Sequence, residues 1–419
     1  MGASETFSGI VEAYPEEVKP AVIRTTPAKN NGRIGFVIGR EEIFEILTKL
    51  GFGVAEDGEE LVVPAPGWRR DIECDADISE EIARMHGYDY IESHQPELTI
   101  TQGHQSVLDD VKDAVQDYMV AAGLNEMMTY SFIKANAYDK MLLPAEDSRR
   151  QCIELLNPIT DAFSVMRTTM IPSALQTASF NLRNHNDRVA LFEVGRVFLP
   201  KALPLAADPE EKPMLTAVLS GPREELNWCA SKESFDFYDM KGIVEGLLAA
   251  MQVKEYSLVR SAAPYLHPGK SCDIVVNGEV IGSFGEVHPV AQENFELDQA
   301  TYVLEMAVEP LVATAVAVPK YEHLPKYPAM SRDIAVVVPA EVSNAEIEEV
   351  IRAHAGELLR KVRVFDIYTG KQVAAGCKSM AFNLTYQAAD RTLTDAEVDE
   401  SMKRVIAEVA EAYKAELRA

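Results

Sequence analysis

From Pro66 to Ile91 the chain reads PGWRRDIECDADISEEIARMHGYDYI, and six acidic residues (Asp71, Glu73, Asp75, Asp77, Glu80, Glu81) fall within eleven positions directly behind Arg69 and Arg70. Asp77, Glu80 and Glu81 stand at i, i+3 and i+4, which places three carboxylates on one face of a helix. A hard cation such as Mg²⁺ takes oxygen ligands of this kind and keeps several waters. Asp71, approaching from the preceding loop, would supply a fourth carboxylate. An ordinary acidic helix start has the same spacing: Asp77 caps the helix, Glu80 completes a capping-box-like pair and Glu81 is favoured by the helix dipole. The residues alone leave both readings open, and the two can hold together.

Other polar motifs carry less chemistry. In LLNPITDAFSVMRTTMIPSAL, Arg167 with Thr168 and Thr169 could hold a carboxylate or phosphate, although a structural arginine is the simpler reading. The His-Pro pairs at His267 and His288 lack the spacing of a metal pair and read as turns. No nucleophile–base pair and no glycine-rich phosphate loop stands out. On residue chemistry alone the chain does not look like a self-sufficient enzyme.

The elements that must position these residues follow from periodicity and punctuation. Residues 18–92 read as a small α+β unit of winged-helix type. It holds a helix in GREEIFEILTKLGF stopped at Gly51, a strand in ELVVPAPGW, and a helix from about Ile78 to Met85 ended at Gly87. Residues 93–103 read as a linker. Residues 93–320 form one large α+β domain, opening with a helix from Ser106 to Ala122. Strands are expected in EMMTYSF, CIELLNP, VALFEVGRVFLP, MLTAVLSG and CDIVVNGEVIGSFGEVHP, with Asn277-Gly278 as a hairpin turn. FYDMKGIVEGLLAAM reads as a helix. A hinge, VPKYEHLPKYPAM, leads into residues 321–419. Their β-α-β-β-α order is the ferredoxin-like split βαβ pattern, closed by a helix from Asp395 to about Leu417 with Thr394 and Glu397 as its capping box.

Composition narrows the class. The 419 residues are 47% apolar and 25% charged, as in globular proteins with filled cores. No apolar run is long enough for a membrane span and no signal-peptide pattern opens the chain. Five scattered cysteines (Cys74, Cys152, Cys229, Cys272, Cys377) form no C-x-x-C pair, which fits a reducing cytoplasm. The net charge of −26 argues against a nucleic-acid partner, yet it is uneven: residues 321–419 hold 13 basic and 16 acidic residues, against 27 and 50 upstream. The last domain is nearly balanced and can present a basic face to RNA.

Taken together the segments resemble the C-terminal portion of bacterial phenylalanine–tRNA ligase β subunits. PGWRRDIECDADISEEIARMHGYDYI is similar to that family's B5 signature. LLNPITDAFSVMRTTMIPSAL, LFEVGRVF, YDMKGIVEGLL, LHPGKSCDI and GSFGEVHP resemble its class II synthetase-like core. KYPAMSRDIAVVV through YQAADRTLTDAEV resembles its ferredoxin-fold anticodon-binding domain. The resemblance implies a division of labour. A separate α subunit, in an (αβ)₂ heterotetramer, binds ATP and joins phenylalanine to tRNA(Phe), while the β core is a non-catalytic copy. TYVLEMAVEPLVATAV agrees, having no arginine to hold a triphosphate, and Arg167 would be a relic of shared ancestry. The family's Mg²⁺ site maps onto Asp71, Asp77, Glu80 and Glu81, which favours a structural cation there and leaves Glu73 and Asp75 solvated. The family's OB-fold and editing domains have no counterpart, so the chain reads as a truncated or separately encoded half without hydrolysis of mischarged tRNA. Tests must separate this helper subunit from a free-standing RNA-binding module and from an autonomous Mg²⁺-dependent enzyme. Neither DNA nor membrane is expected as a partner.

Overall fold

The computed structural model describes residues 8–15, 19–93, 95, 97–225, 227–229, 232–314, 321, 323–370 and 373–417. The chain divides into two compact units, Met1–His104 and Gln105–Ala419. In the first, β1 (Val22–Thr25) runs directly into α1 (Pro27–Ile34), because the Thr26 side chain accepts the Lys29 N–H and Pro27 is pre-set for the first helical turn. The sequence reading misses this helix: it buries only Asn30, so no apolar period announces it. Then come α2 (Arg40–Lys49), β2 (Ala55–Asp57), β3 (Glu60–Pro64) and α3 (Asp75–His86). The strands form an antiparallel sheet in the order β1-β3-β2. Ile43 and Leu47 of α2, Leu61 and Val63 of β3, and Ile78 and Ile82 of α3 close a core over it.

The second unit starts with α4 (Val107–Ala121), within one residue of the expected span, and Ser106 caps it. Next stand β4 (Asn125–Glu126), β5 (Phe132–Ile133), α5 (Ala137–Lys140), β6 (Val165–Met166) and α6 (Ile171–Arg183). The strand expected across EMMTYSF is reduced to β4 and β5, and CIELLNP contributes only a bridge from Glu154 to Val165. Between β4 and β5, Thr129 accepts a hydrogen bond from Arg167. The long elements follow: β7 (Val189–Leu199), β8 (Glu210–Ser220), α7 (Phe237–Ala250), β9 (Tyr256–Arg260), β10 (Leu266–Val276), β11 (Glu279–Val287), α8 (Pro289–Asn294), β12 (Thr301–Ala307) and α9 (Glu309–Val312). Seven strands join in the order β4-β7-β8-β12-β11-β10-β9, all neighbours antiparallel except β4 with β7. Val115, Met119, Val244 and Leu247 of α4 and α7 fill one face; Ala174, Leu175 and Ala178 of α6 fill the other. β12, in the middle, is buried along its whole length. The β10–β11 hairpin turns at Asn277 (φ 52°) and Gly278 (φ 82°), the positive pair that a two-residue loop requires.

The last segment orders itself as β13 (Met330–Pro339), α10 (Asn344–Ala355), β14 (Leu359–Tyr368), β15 (Cys377–Tyr386), α11 (Asp395–Tyr413) and β16 (Glu416–Leu417). The sheet order β14-β15-β13-β16 is that of a complete split βαβ unit. The final helix is shorter than its sequence suggests. Lys414 adopts a left-handed conformation (φ 51°), and Glu416 and Leu417 pair with Val337 and Val336 as a sixth element. The capping box is in place, with the Glu397 carboxylate accepting the Thr394 N–H at 2.9 Å. Residues 318–320 and 322 of the expected hinge lie outside the described residues. Among the described residues, no helix is long and apolar enough to cross a membrane.

Candidate functional sites

The acidic segment folds into α3 one turn earlier than its sequence suggests. Asp77 is the third helical residue and not the cap. Its Oδ2 reaches back to accept the N–H groups of Glu73 and Cys74, both at 2.8 Å, and these bonds hold its carboxyl below the usual carboxylate range. Asp75 is no spectator either: Lys29 and Arg33 of α1 meet its Oδ2 at 2.6 and 3.1 Å and depress it.

Asp71 and Glu81 share one cation. Arg69 Nη2 lies 2.7 Å from Asp71 Oδ2 and 2.9 Å from Glu81 Oε1, and its Nη1 donates to Glu81 Oε2 at 3.2 Å. Arg84 adds a bond to Glu81 at 2.7 Å. Hydrogen bonds from Arg69 are the main reason both carboxyls sit below their ordinary values, and they raise the guanidinium in turn. Glu80 is exposed on the outer face of α3, while Glu81 is buried. Of these four carboxylates, one bonds backbone, one faces water, and two grip an arginine. Among the described residues no three His, Cys, Asp or Glu side chains converge as ligands. Arg69 stands where the sequence reading expects Mg²⁺ to supply positive charge. Its signal was one residue pair away from Asp71, since an arginine so close in sequence is a ready counter-ion.

A second charged cluster lies deep in the core, where the sequence points only to Arg167. The guanidinium is 2% exposed. Its Nη2 meets Glu193 Oε1 at 3.1 Å, Nη1 donates to Thr129 Oγ1 at 2.8 Å, and Nε donates to the Arg196 carbonyl at 2.8 Å. Thr129 in turn donates to Glu193 Oε2 at 2.6 Å. Gly195 makes room for this: a Cβ there would lie 2.5 Å from Arg167 Nη2 and 2.7 Å from Met170 Cε. The next residues continue the network. Thr168 donates to the Arg149 carbonyl at 2.5 Å, Thr169 Oγ1 lies 2.9 Å from both oxygens of Glu305, and the Met170 N–H donates to Glu305 Oε1 at 2.5 Å. The structural reading of Arg167 therefore has a concrete form: it ties the start of α6 to β7. Both His-Pro pairs behave alike, each ring Nδ1 accepting the N–H two residues on (Gly269 and Val290), although His267 does so within a bulged strand.

The split βαβ sheet has one face under α10 and α11, packed on Val362, Phe382 and Leu384. On the opposite face Lys361 and Arg363 of β14 stand exposed across from Thr385 and Asn383 of β15.

Three successive parts of this molecule match components of aminoacyl-tRNA synthetases. Residues 23–88 match the tRNA synthetase B5 domain, residues 91–308 the phenylalanyl tRNA synthetase beta chain CLM domain, and residues 325–418 the ferredoxin-fold anticodon binding domain. The chain belongs to the phenylalanyl-tRNA synthetase β-chain family. It is 34% identical over its full length to a phenylalanine–tRNA ligase β subunit of Clostridium acetobutylicum, covering 51% of that protein. It is 36% identical to the β subunit of Symbiobacterium thermophilum over 100% of the chain and 48% of the relative. With the β subunit of Bacillus subtilis it shares 35% identity over 99% of the chain and 51% of the relative. The chain thus spans about half the length of the curated relatives it matches.

Proposed function

We propose that the chain is the scaffolding and tRNA-contacting half of a phenylalanine–tRNA ligase β subunit, working in the cytoplasm with an α subunit that binds ATP and phenylalanine and charges tRNA(Phe). In this reading residues 23–88 are a winged-helix-like B5 domain and the seven-stranded core is class II synthetase-like but non-catalytic. The observation that carries it is β12. Its one charged side chain is Glu305, an acid facing a helix start, whereas a bound triphosphate needs cations. The exposed Met128, Tyr130, Leu156 and Ile159, on the segments flanking β5 and β6, offer an apolar face for the partner subunit. Lys361 and Arg363 offer phosphate contacts on an open sheet, where single-stranded RNA commonly lies.

Co-expression with an α subunit, followed by native mass measurement, tests the assembly: an (αβ)₂ complex is expected. Recovery of the chain alone, still holding tRNA, would favour a free-standing RNA-binding module. Replacing Lys361 and Arg363 by glutamate is expected to weaken tRNA(Phe) retention and to flatten its salt dependence by about one unit of slope per contact; unchanged retention contradicts the sheet face as the RNA surface. A divalent cation at Asp71, Asp77, Glu80 and Glu81 is compatible with this role only if Arg69 moves aside. Arg69→Gln should then strengthen Mn²⁺ binding to the full chain, read by electron paramagnetic resonance; no change in affinity removes the cation from the account.

A further inference from the structure

We propose that Met128 is a redox-sensitive contact of the partner-binding face: oxidation of its thioether to the sulfoxide by hydrogen peroxide weakens docking of the α subunit. This step rests on the role proposed above for the exposed Met128, Tyr130, Leu156 and Ile159 as the face that meets that subunit. Two anchored neighbours hold the side chain outward. Met127, one position before, is buried, and its N–H donates to the Phe192 carbonyl at 2.8 Å. Thr129, one position after, accepts from Arg167 Nη1 at 2.8 Å and donates to Glu193 Oε2 at 2.6 Å. Met128 between them is 94% exposed. The surroundings are tied down as well: the Tyr130 and Phe163 ring centroids lie 5.0 Å apart, and the Ser164 N–H donates to the Ile133 carbonyl at 3.1 Å. These bonds join the segment of Leu156 and Ile159 to that of Met128.

An unbranched, polarizable thioether on a fixed backbone adapts to the contours of a partner surface, and its oxidation replaces that apolar contact with a polar one. The sulfur takes one oxygen from the peroxide: the O–O bond breaks, an S–O bond forms, the sulfur is oxidised by two electrons, and the other oxygen leaves as water. Access decides which methionine reacts first. Among the described residues one other methionine is exposed, Met85 at 44%, so Met128 leads. Burying the new S=O dipole against an apolar partner without a hydrogen bond opposes docking. Docking in turn covers the sulfur, so the free chain is the form that reacts. Methionine sulfoxide reductases reverse the change.

The test uses the full chain, untreated or treated with hydrogen peroxide. Peptide mass mapping locates the sulfoxide, and titration calorimetry measures affinity for an α subunit. Sulfoxide is expected first at Met128, and affinity should fall about tenfold or more, as when one apolar side chain in an interface turns polar. Methionine sulfoxide reductase should restore it. In Met128→Leu, whatever its own affinity, peroxide should leave that affinity unchanged. This separates the thioether from the cysteines, of which Cys74 and Cys229 are exposed. In the assembled complex Met128 should be protected from the same dose. Sulfoxide appearing first elsewhere, full affinity after oxidation at Met128, an equal loss in Met128→Leu, or unprotected Met128 in the complex overturns the redox step and leaves assembly itself standing. An untreated chain that does not bind an α subunit overturns the docking face, and the redox step with it.

Discussion

The start of α3 and the junction of β6 with α6 are built from the same parts, an arginine bonded to a carboxylate close to a helix N-terminus. Their environments differ at the second partner: Glu81 is as buried as Glu193, but Arg69 also holds an exposed aspartate. Arg69, Asp71 and Glu81 lie within thirteen positions of one another and Asp71 faces water. Arg167, Thr129, Glu193 and Glu305 come from four distant segments, and Arg167, Glu193 and Glu305 are buried. Exposed ion pairs contribute about 0–1 kcal/mol, whereas breaking a buried one leaves an uncompensated charge. The Arg69–Asp71 pair therefore costs little to break, and the Arg167–Glu193 pair costs more.

The sharpest way to break this comparison is Glu193→Ala. It strands the Arg167 guanidinium in the core and should cost about 3–5 kcal/mol in urea unfolding; a loss below 1 kcal/mol would place Arg167 among the tolerant surface charges. Gly195→Ala comes next, at about 1–3 kcal/mol, because the added methyl meets Arg167 and Met170 with no free space to take it. At the exposed cluster, Asp77→Ala removes the acceptor for two N–H groups and should cost about 0.5–2 kcal/mol, localised to the first unit by hydrogen exchange around α3.

The pH response is the smallest effect and separates the two regions by sign. Asp71, Asp77 and Glu81 have depressed values in the folded state, so the unfolded chain binds more protons; their stabilisation is present above the ordinary carboxylate range and is lost as pH falls through the folded values. Glu305 is raised above its ordinary 4.5, so its contribution is fully favourable below 4.5 and falls away as pH rises toward its folded value. Asp77→Asn should flatten the acid limb of unfolding for the first unit, and Glu305→Gln should remove the opposing slope in the core. A common slope for both variants contradicts the distinction.

The same contrast explains what the sequence made legible. The acidic run stands out because its residues are adjacent, and so do the long strands β7, β8, β10 and β11, whose apolar runs and Asn-Gly turn are local signals. Helix α1 escaped because it buries one polar residue, and β16 because two residues carry no period. The buried cluster escaped for a different reason: Thr129 lies 64 positions from Glu193, and Thr169 136 from Glu305, so only the folded sheet brings them together. Even at the acidic run, where every residue was visible, the spacing alone did not reveal that Arg69 binds two of the four expected ligands.

The proposed role is to support aminoacylation by a partner subunit without catalysis by this chain. Phenylalanine-dependent ATP–pyrophosphate exchange measures that directly. The isolated chain is expected to show none, with exchange appearing on addition of an α subunit; exchange by the chain alone would contradict the account.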